Sequence, residues 1–318
     1  MTSPYLFIVG CPRSGTTLLQ RITEAHSQIA MVPELFWVTD QVRSKGGLKL
    51  HEPVTKEIVT RLFEHKRFSL LGMDRNEFIE LYKPGATFGE FVGSIFDLYG
   101  RKNQKKLVGN KTPDYVQNIS ELHQQWPSSR FVHLIRDGRD VCLSILNWKK
   151  ADRTTGRYSP YREDPVSTIA LYWKRKVLLG RQAGRALNEN LYSEVFYESL
   201  ILRAENECRA LCEFLQIPYE QKMVRFYENR PDTEKARNTK SWMPVTKGFR
   251  DWRTQMPLPD IEKFEAVAGD LLEELGYERK IPRILPQAQD HAAKVLDQFT
   301  TSLYLVRKPL PEGWPYAG

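Results

Sequence analysis

The segment YLFIVGCPRSGTTLLQRITEA, residues 5–25, combines a strand, a turn and a helix. Its first part, Tyr5 to Val9, is a short apolar run of the β type that closes at Gly10. From Thr16 onward, apolar side chains recur at the spacing of one helix face, at Leu18, Leu19, Ile22 and Ala25. We therefore predict a β-strand that leads through a glycine-containing turn to a helix N-terminus.

The turn has the spacing of a nucleotide phosphate loop but lacks its lysine. Gly10 and Gly15 enclose four residues, as in GxxxxGK[ST], but Thr16 stands where the lysine belongs. Backbone N–H groups at a helix N-terminus favour an anion, and Arg13 adds a permanently charged guanidinium. The hydroxyl donors of the loop are Ser14, Thr16 and Thr17. The sequence predicts a site for a phosphosulfate or phosphodiester and disfavours hydrolysis of Mg²⁺–ATP, in which the lysine reaches the β- and γ-phosphates.

A second candidate anion site follows a later strand. Residues 131–135 form an apolar run, Arg136 comes directly after it, and Asp140 is a plausible N-cap for a helix that contains Ser144. Ligands of open α/β sheets bind outside the carboxyl ends of the strands, so Arg136 and Ser144 are predicted to grip one cluster of oxygen atoms. The alternative is that the charges of the RDGRD run, residues 136–140, pair with one another as a solvated surface group.

Strands and helices alternate along the rest of the chain. Further strand candidates are residues 29–32, 106–109 and 192–197, with amphipathic helices between them. This order predicts an α/β fold with a P-loop-like central parallel sheet and helices on both faces. We expect a single domain over residues 1–280, with residues 281–318 as a C-terminal extension packed on it. His133 lies inside a predicted strand and is expected to be a buried structural histidine.

Charge and cysteine usage narrow the class of partner. The 318 residues carry a net charge of +8, concentrated in residues 101–111 and 235–255, so a polyanion or an anionic small molecule is indicated. Few aromatic residues interleave with these bases, which disfavours nucleic acid. The four cysteines and six histidines lack disulfide or zinc spacing, which predicts no metal site and a cytoplasmic protein. No apolar run approaches the ~18 residues of a membrane span.

Two motifs together carry a resemblance to a known family. CPRSGTTLL, residues 11–19, and RDGRDVCLS, residues 136–144, resemble the paired cofactor motifs of sulfotransferases that use 3′-phosphoadenosine 5′-phosphosulfate (PAPS). The resemblance implies transfer of the sulfuryl group of PAPS to a hydroxyl, with 3′-phosphoadenosine 5′-phosphate (PAP) as the product. The residues that it assigns to the 5′-phosphosulfate are Arg13, Ser14, Gly15, Thr16 and Thr17, and those that it assigns to the 3′-phosphate are Arg136 and Ser144.

Weaker similarities follow in the expected order. Glu34 in PELFW and Lys111 in GNKTPDY are similar to segments of the Golgi tyrosyl-protein and heparan-type branches and of bacterial relatives. Tyr197 in VFYESL matches a stretch whose tyrosine lies near adenine, and TKGFRDWR partly echoes a late family segment. That echo implies Lys247 and Gly248 as further ligands of the 3′-phosphate.

The resemblance also bears on the general base. Cytosolic family members have a catalytic histidine shortly after the lysine that Lys111 resembles, whereas residues 112–115 contain none. A carboxylate is therefore favoured, and Glu34, at the end of the second predicted strand, is the first choice. Asp114 and His123 stay open as alternative bases. We expect Arg13 and Lys111 to offset charge on the transferring group and the leaving phosphate without a metal ion.

Other functions and properties stay open at this point. The competing functions are a P-loop nucleotide kinase or NTPase without the usual lysine and a non-enzymatic polyanion-binding protein. Golgi branches carry an N-terminal membrane anchor, which we do not expect in this chain, so a cytoplasmic, bacterial-type enzyme is favoured. The acceptor is a small molecule, a carbohydrate or a peptide hydroxyl, and the sequence does not separate these classes or indicate an oligomeric state.

Overall fold

The structure is a computed structural model that describes residues 5–35, 49–64, 68–229 and 250–302. Five strands form one sheet in the order β2-β3-β1-β4-β5, and every pair of neighbours is parallel. Their bounds are β1 (Tyr5–Gly10), β2 (Ile29–Val32), β3 (Leu107–Lys111), β4 (Arg130–Ile135) and β5 (Tyr192–Phe196). The predicted parallel sheet is confirmed, and the third strand continues two residues beyond the predicted end at residue 109.

Helices occupy most of the remaining described chain. Those before β4 are α1 (Thr16–Glu24), α2 (Lys56–Phe63), α3 (Arg75–Glu80), α4 (Phe88–Lys102) and α5 (Ile119–Gln125). Those after β4 are α6 (Gly138–Leu146), α7 (Pro165–Arg185), α8 (Tyr197–Leu202), α9 (Ala204–Leu215), α10 (Trp252–Gln255), α11 (Leu258–Glu274) and α12 (Pro286–Thr300). No helix in the described ranges is long and apolar enough to cross a bilayer.

The chain forms two compact units built from interleaved segments. The first unit comprises residues 1–135 and 179–247, and the second comprises residues 136–178 and 248–318. The whole sheet lies in the first unit. The predicted boundary between residues 280 and 281 stays a prediction.

The sheet of the first unit is covered on both faces. Alternate side chains of β1 enter different cores, because successive residues of a strand point to opposite sides. Tyr5, Phe7 and Val9 pack in a core with side chains of α2 to α5. Leu6 and Ile8 pack in a second core with side chains of α1 and α9. A strand buried on both faces is a continuous apolar run, and the predicted helices on both faces are confirmed.

His133 is the buried histidine that its place in a strand predicted. It is fully buried on β4, and its Nδ1 lies 2.7 Å from the hydroxyl oxygen of Tyr192. Burial, together with the positive charge of Arg181, lowers the pKa of His133 to about 3. The ring is therefore neutral at physiological pH and serves the packing of the sheet.

The second unit is helical in its described part. α11 packs against α12 and against α6. Trp173 from α7 and Phe264 from α11 contact each other, with ring centroids 5.8 Å apart, and a Cβ at Gly138 would lie within 2.7 Å of both rings. Only glycine fits there, and α6 therefore begins against this aromatic pair.

Candidate active site

The predicted phosphate loop lies in the first unit, where it leads from β1 into α1. A Cβ on Gly10 would lie 2.5 Å from the carbonyl oxygen of Leu134, so only glycine allows β1 and β4 to approach here. Arg13 has a φ of 76°, which is uncommon for a residue with a Cβ and is concentrated at functional turns. Its side chain is exposed. An exposed arginine therefore lies in the loop next to a helix N-terminus.

Gly15 lies against the ring of Tyr197. The glycine has a φ of 102° and immediately precedes α1, and a Cβ there would lie 2.5 Å from Cδ2 of the tyrosine. Tyr197 is the first residue of α8 and directly follows β5. Two residues that the sequence assigned to cofactor binding, 182 positions apart, are thus in contact.

The hydroxyls of the loop differ in exposure. Ser14 and Thr16 are buried, whereas Thr17 is exposed. Among the described residues, the Oγ atom of Ser14 has no hydrogen-bond partner although it is buried. Buried hydroxyls are almost always hydrogen-bonded, and an unpaired one calls for an explanation. An anion oxygen held by this loop would accept that hydrogen bond, so the residues present fit a phosphosulfate group.

Three predicted site residues meet beside the loop. Lys111 ends β3, and its Nζ contacts the carboxylate of Glu34 and lies 3.4 Å from Oγ1 of Thr17. Glu34 follows β2 by two residues, and Thr17 is in the first turn of α1. The Lys111 side chain is 4% exposed and that of Glu34 is 23% exposed. The carboxylate is therefore accessible from solvent, while the ammonium is enclosed next to it.

The two alternative bases lie on the elements after β3. Asp114 is in a short 3-10 helix, Pro113–Gln117, and is half-buried. His123 is on α5 and is also half-buried. Glu34 stays our first choice for the general base, because its carboxylate contacts Lys111 beside the loop.

The second predicted anion site begins at Arg136, in the second unit. Asp137, not the predicted Asp140, is the N-cap of α6, because its carboxylate accepts the N–H of Arg139 at 2.9 Å. Asp140 instead accepts the N–H of Trp252 at 2.9 Å and pairs with Arg136 at 3.2 Å. Burial raises the pKa of Asp140, and Arg136 opposes that shift.

The charges of residues 136–140 are paired but not solvated, so the alternative of an exposed charge run is wrong. Arg136 is 7% exposed and Arg139 is fully buried. The Arg139 guanidinium binds both oxygens of Asp137, at 3.0 and 2.7 Å, and Glu265 at 2.7 Å. Its central carbon lies 3.5 Å from the ring centroid of Trp252. Sequence reasoning missed Glu265, because its partner is 126 residues away.

Arg139→Met is expected to lower the free energy of unfolding by about 3–5 kcal/mol, because it removes the guanidinium that the buried carboxylates of Asp137 and Glu265 both bind. Urea denaturation measures the change. Arg209→Met is the matched control, since that arginine pairs with Glu205 on an exposed helix surface, and we expect about 0.5 kcal/mol or less there. Equal losses in the two variants would contradict the buried network.

The remaining assigned residues lie elsewhere. Ser144 is on α6 and is buried, and its predicted role stays a prediction. Lys247 and Gly248 lie outside the described residues. Sequence reasoning also missed Asn110 and Tyr115, two buried residues with polar groups in the GNKTPDY motif. The available signal was an asparagine directly after the apolar start of β3. In the described ranges, no group of three or more His, Cys, Asp or Glu residues is placed to hold a metal ion.

Comparison with known proteins identifies the family. The sequence model of the sulfotransferase family matches residues 4–221. The chain belongs to the sulfotransferase family. The predicted family, whose members take the sulfuryl group from PAPS, is thereby confirmed.

Curated relatives of this family member are distant. Protein-tyrosine sulfotransferase A of Caenorhabditis elegans is 24% identical over 229 residues, which cover 70% of this chain and 52% of the relative. The protein-tyrosine sulfotransferase of Drosophila melanogaster is 23% identical over 86% of this chain and 52% of its own length. Nodulation protein NoeE of Sinorhizobium fredii is 24% identical over 86% of this chain and 66% of its own length. The chain spans about half the length of the first two relatives.

Solved structures show the same fold. The sulfotransferase domain of the Synechococcus PCC 7002 olefin synthase has a TM-score of 0.56 at 18% identity, over 87% of this chain and 97% of that domain. The sulfotransferase domain from the curacin biosynthetic pathway has a TM-score of 0.53 at 16% identity, over 92% and 98%. The sulfotransferase fold is therefore shared at low sequence identity.

Proposed function

We propose that this sulfotransferase moves the sulfuryl group of PAPS to a hydroxyl group of an acceptor, with Glu34 as the general base. The contact of Lys111 with both Glu34 and Thr17 carries the proposal. It supports a cation, a partly exposed carboxylate and an anion-binding loop acting at one place. PAPS, when bound, supplies an activated sulfuryl group whose transfer leaves PAP.

The chain's own residues divide the remaining work. The loop at residues 10–17 holds the 5′-phosphosulfate through the exposed residue Arg13 and through the Ser14 hydroxyl, which has no hydrogen-bond partner in the part of the chain that the structure describes. Tyr197 borders the nucleotide through its contact with Gly15. The residues proposed to hold the 3′-phosphate are Arg136, Ser144, Lys247 and Gly248.

The ion pair of Glu34 and Lys111 removes the proton and compensates the developing charge. The exposed fraction of the Glu34 side chain lets a carboxylate oxygen reach an acceptor hydroxyl and take its proton. The enclosed ammonium of Lys111 offsets negative charge that develops beside it, and it acts more strongly there than it would in water. Asp114 and His123 stay as alternative bases.

The acceptor to test first is a tyrosine phenol in a peptide, because the relatives from Caenorhabditis elegans and Drosophila melanogaster are protein-tyrosine sulfotransferases. A small-molecule phenol and an oligosaccharide represent the other acceptor classes. The cytoplasmic location and the bacterial-type assignment stay predictions.

Incubation with PAPS and each of these acceptors is expected to release PAP and to yield a sulfated acceptor, both followed by mass spectrometry. The rate should persist in EDTA, because Lys111, Arg13 and the loop N–H groups supply the positive charge that Mg²⁺ supplies in P-loop NTPases. A thermal-shift comparison of PAP with ATP–Mg²⁺ is the control. Strict dependence on Mg²⁺, or preferential stabilisation by ATP–Mg²⁺, would favour the kinase or NTPase alternative.

A further inference from the structure

The backbone that carries Glu34 lies beyond the last ladder residue of β2. That strand ends at Val32, which pairs with Asn110 on β3, and the next residue, Pro33, has no N–H to donate. Asn110 is fully buried, and its Nδ2 donates to the carbonyl oxygens of Val32 at 3.2 Å and Pro33 at 3.0 Å. The Asn110 side chain therefore continues the hydrogen bonding to this segment beyond the last backbone pair of β2 and β3.

The backbone that follows Glu34 is also bound by a buried side chain. The hydroxyl of Tyr115, a residue that is 1% exposed, donates to the carbonyl oxygen of Leu35 at 3.0 Å. The ring of Tyr115 packs near that of Phe7 on β1, with centroids 6.0 Å apart, so the hydroxyl is presented from a rigid core. The carbonyls of the residues before and after Glu34 are thus both bound.

The amide of Asn110 is itself oriented. Its Oδ1 accepts a hydrogen bond from the hydroxyl of Thr112 at 2.8 Å, which turns Nδ2 toward the end of β2. Lys111, between these two residues, contacts the Glu34 carboxylate. One short motif, residues 109–115, therefore binds both the side chain of Glu34 and the backbone on either side of it.

We propose that Asn110 and Tyr115 are positioning residues that fix the location of the Glu34 carboxylate for proton abstraction. This inference rests on the proposed role of Glu34 as the base. A general base must stand within hydrogen-bond reach of the proton it removes, and supporting residues must hold such a group to within about 0.5 Å. Lys111 attracts the carboxylate, whereas Asn110 and Tyr115 determine where its backbone lies.

Tyr115→Phe is the sharpest test, because it removes one hydroxyl and keeps the packed ring. We expect kcat for transfer from PAPS to a tyrosine peptide to fall about tenfold, with KM for PAPS unchanged. Tyr5→Phe is the matched control. The Tyr5 hydroxyl is also buried and donates to Gly93 and Asp97 on α4, and Tyr5 lies at the end of β1 that is remote from the loop. That variant is expected to keep its kcat. Wild-type kcat in Tyr115→Phe, or equal losses in both variants, would overturn the inference.

A double-mutant cycle asks whether Tyr115 acts through Glu34. In a Glu34→Gln background, Tyr115→Phe is expected to lower kcat no further, because the group that it positions is already absent. A further tenfold loss there would overturn the inference. If Tyr115→Phe lowers kcat while Glu34→Gln does not, the base assignment fails and the inference fails with it.

A measurement without PAPS keeps the inference separable from the proposed reaction. Hydrogen exchange of the free protein, read from a peptide that contains Glu34 and Leu35, is expected to quicken in Tyr115→Phe. Tyr5→Phe is expected to raise exchange near Gly93 and Asp97 instead. Unchanged exchange at Glu34 and Leu35 would overturn the positioning role whether or not the protein transfers sulfuryl groups.

Discussion

Glu34→Gln is expected to reduce sulfuryl transfer by about 10²- to 10⁴-fold, the usual contribution of a general base. Glutamine keeps the size of the side chain but cannot accept the proton of the acceptor hydroxyl. Binding of PAP should change little, because the loop at 10–17 does not include this residue. Initial rates with a tyrosine peptide, together with thermal stabilisation by PAP, measure the two effects separately.

Asp114→Asn is the matched control for this base, since it makes the same chemical change at the other candidate carboxylate. It should retain most of the transfer rate. If Asp114→Asn lost turnover and Glu34→Gln kept it, the base would be Asp114. If neither variant lost turnover, His123→Gln would be the next variant to measure. The melting temperature of Glu34→Gln without nucleotide shows how far the buried Lys111 depends on its partner.

Gly15→Ala is expected to weaken PAP binding on the order of 100-fold, the equivalent of about 2.7 kcal/mol. A residue with a Cβ at a φ of 102° is strained, and that Cβ would lie 2.5 Å from the ring of Tyr197. Either the loop or the ring must then move, and both belong to the proposed nucleotide site. Titration of PAP by thermal shift or calorimetry measures the loss.

Gly85→Ala separates strain from contact. Gly85 also has a positive φ, 84°, but a Cβ there would meet no heavy atom within 4 Å. We expect it to lose some stability and to bind PAP like the wild type. If Gly15→Ala bound PAP with the affinity of the wild type, the contact between Gly15 and Tyr197 would not be part of the nucleotide site.

Local patterns were sufficient for much of the fold. The run at residues 5–9, the glycines at 10 and 15 and the apolar spacing after Thr16 predicted β1, the loop and α1, and the structure confirms them. These features could be predicted because a strand, a tight turn and a helix face depend on neighbours a few positions away. The sequence predicts Asp140 as the N-cap of α6, whereas the structure has Asp137 there. The prediction is wrong because both carboxylates fit the local pattern.

Contacts between distant segments could not be read in the same way. The sequence assigned Glu34 and Lys111 to one active site through a family resemblance, and only the fold shows that their side chains contact each other beside Thr17. The parallel pairing of β2 with β3 and of β3 with β1 creates that meeting point, because the carboxyl ends of parallel strands lie at one edge of the sheet.

The sequence by itself thus determined the α/β class, the strand, loop and helix of residues 5–24, and the sulfotransferase family, since each depends on short motifs. The tertiary structure alone decided that Asn110 and Tyr115 bind the backbone around Glu34 and that Arg139 is neutralised by Glu265. Hydrogen bonds and ion pairs form between side chains that folding brings within about 3 Å. Which distant residues meet at that distance depends on strand order and helix packing, which no local pattern specifies.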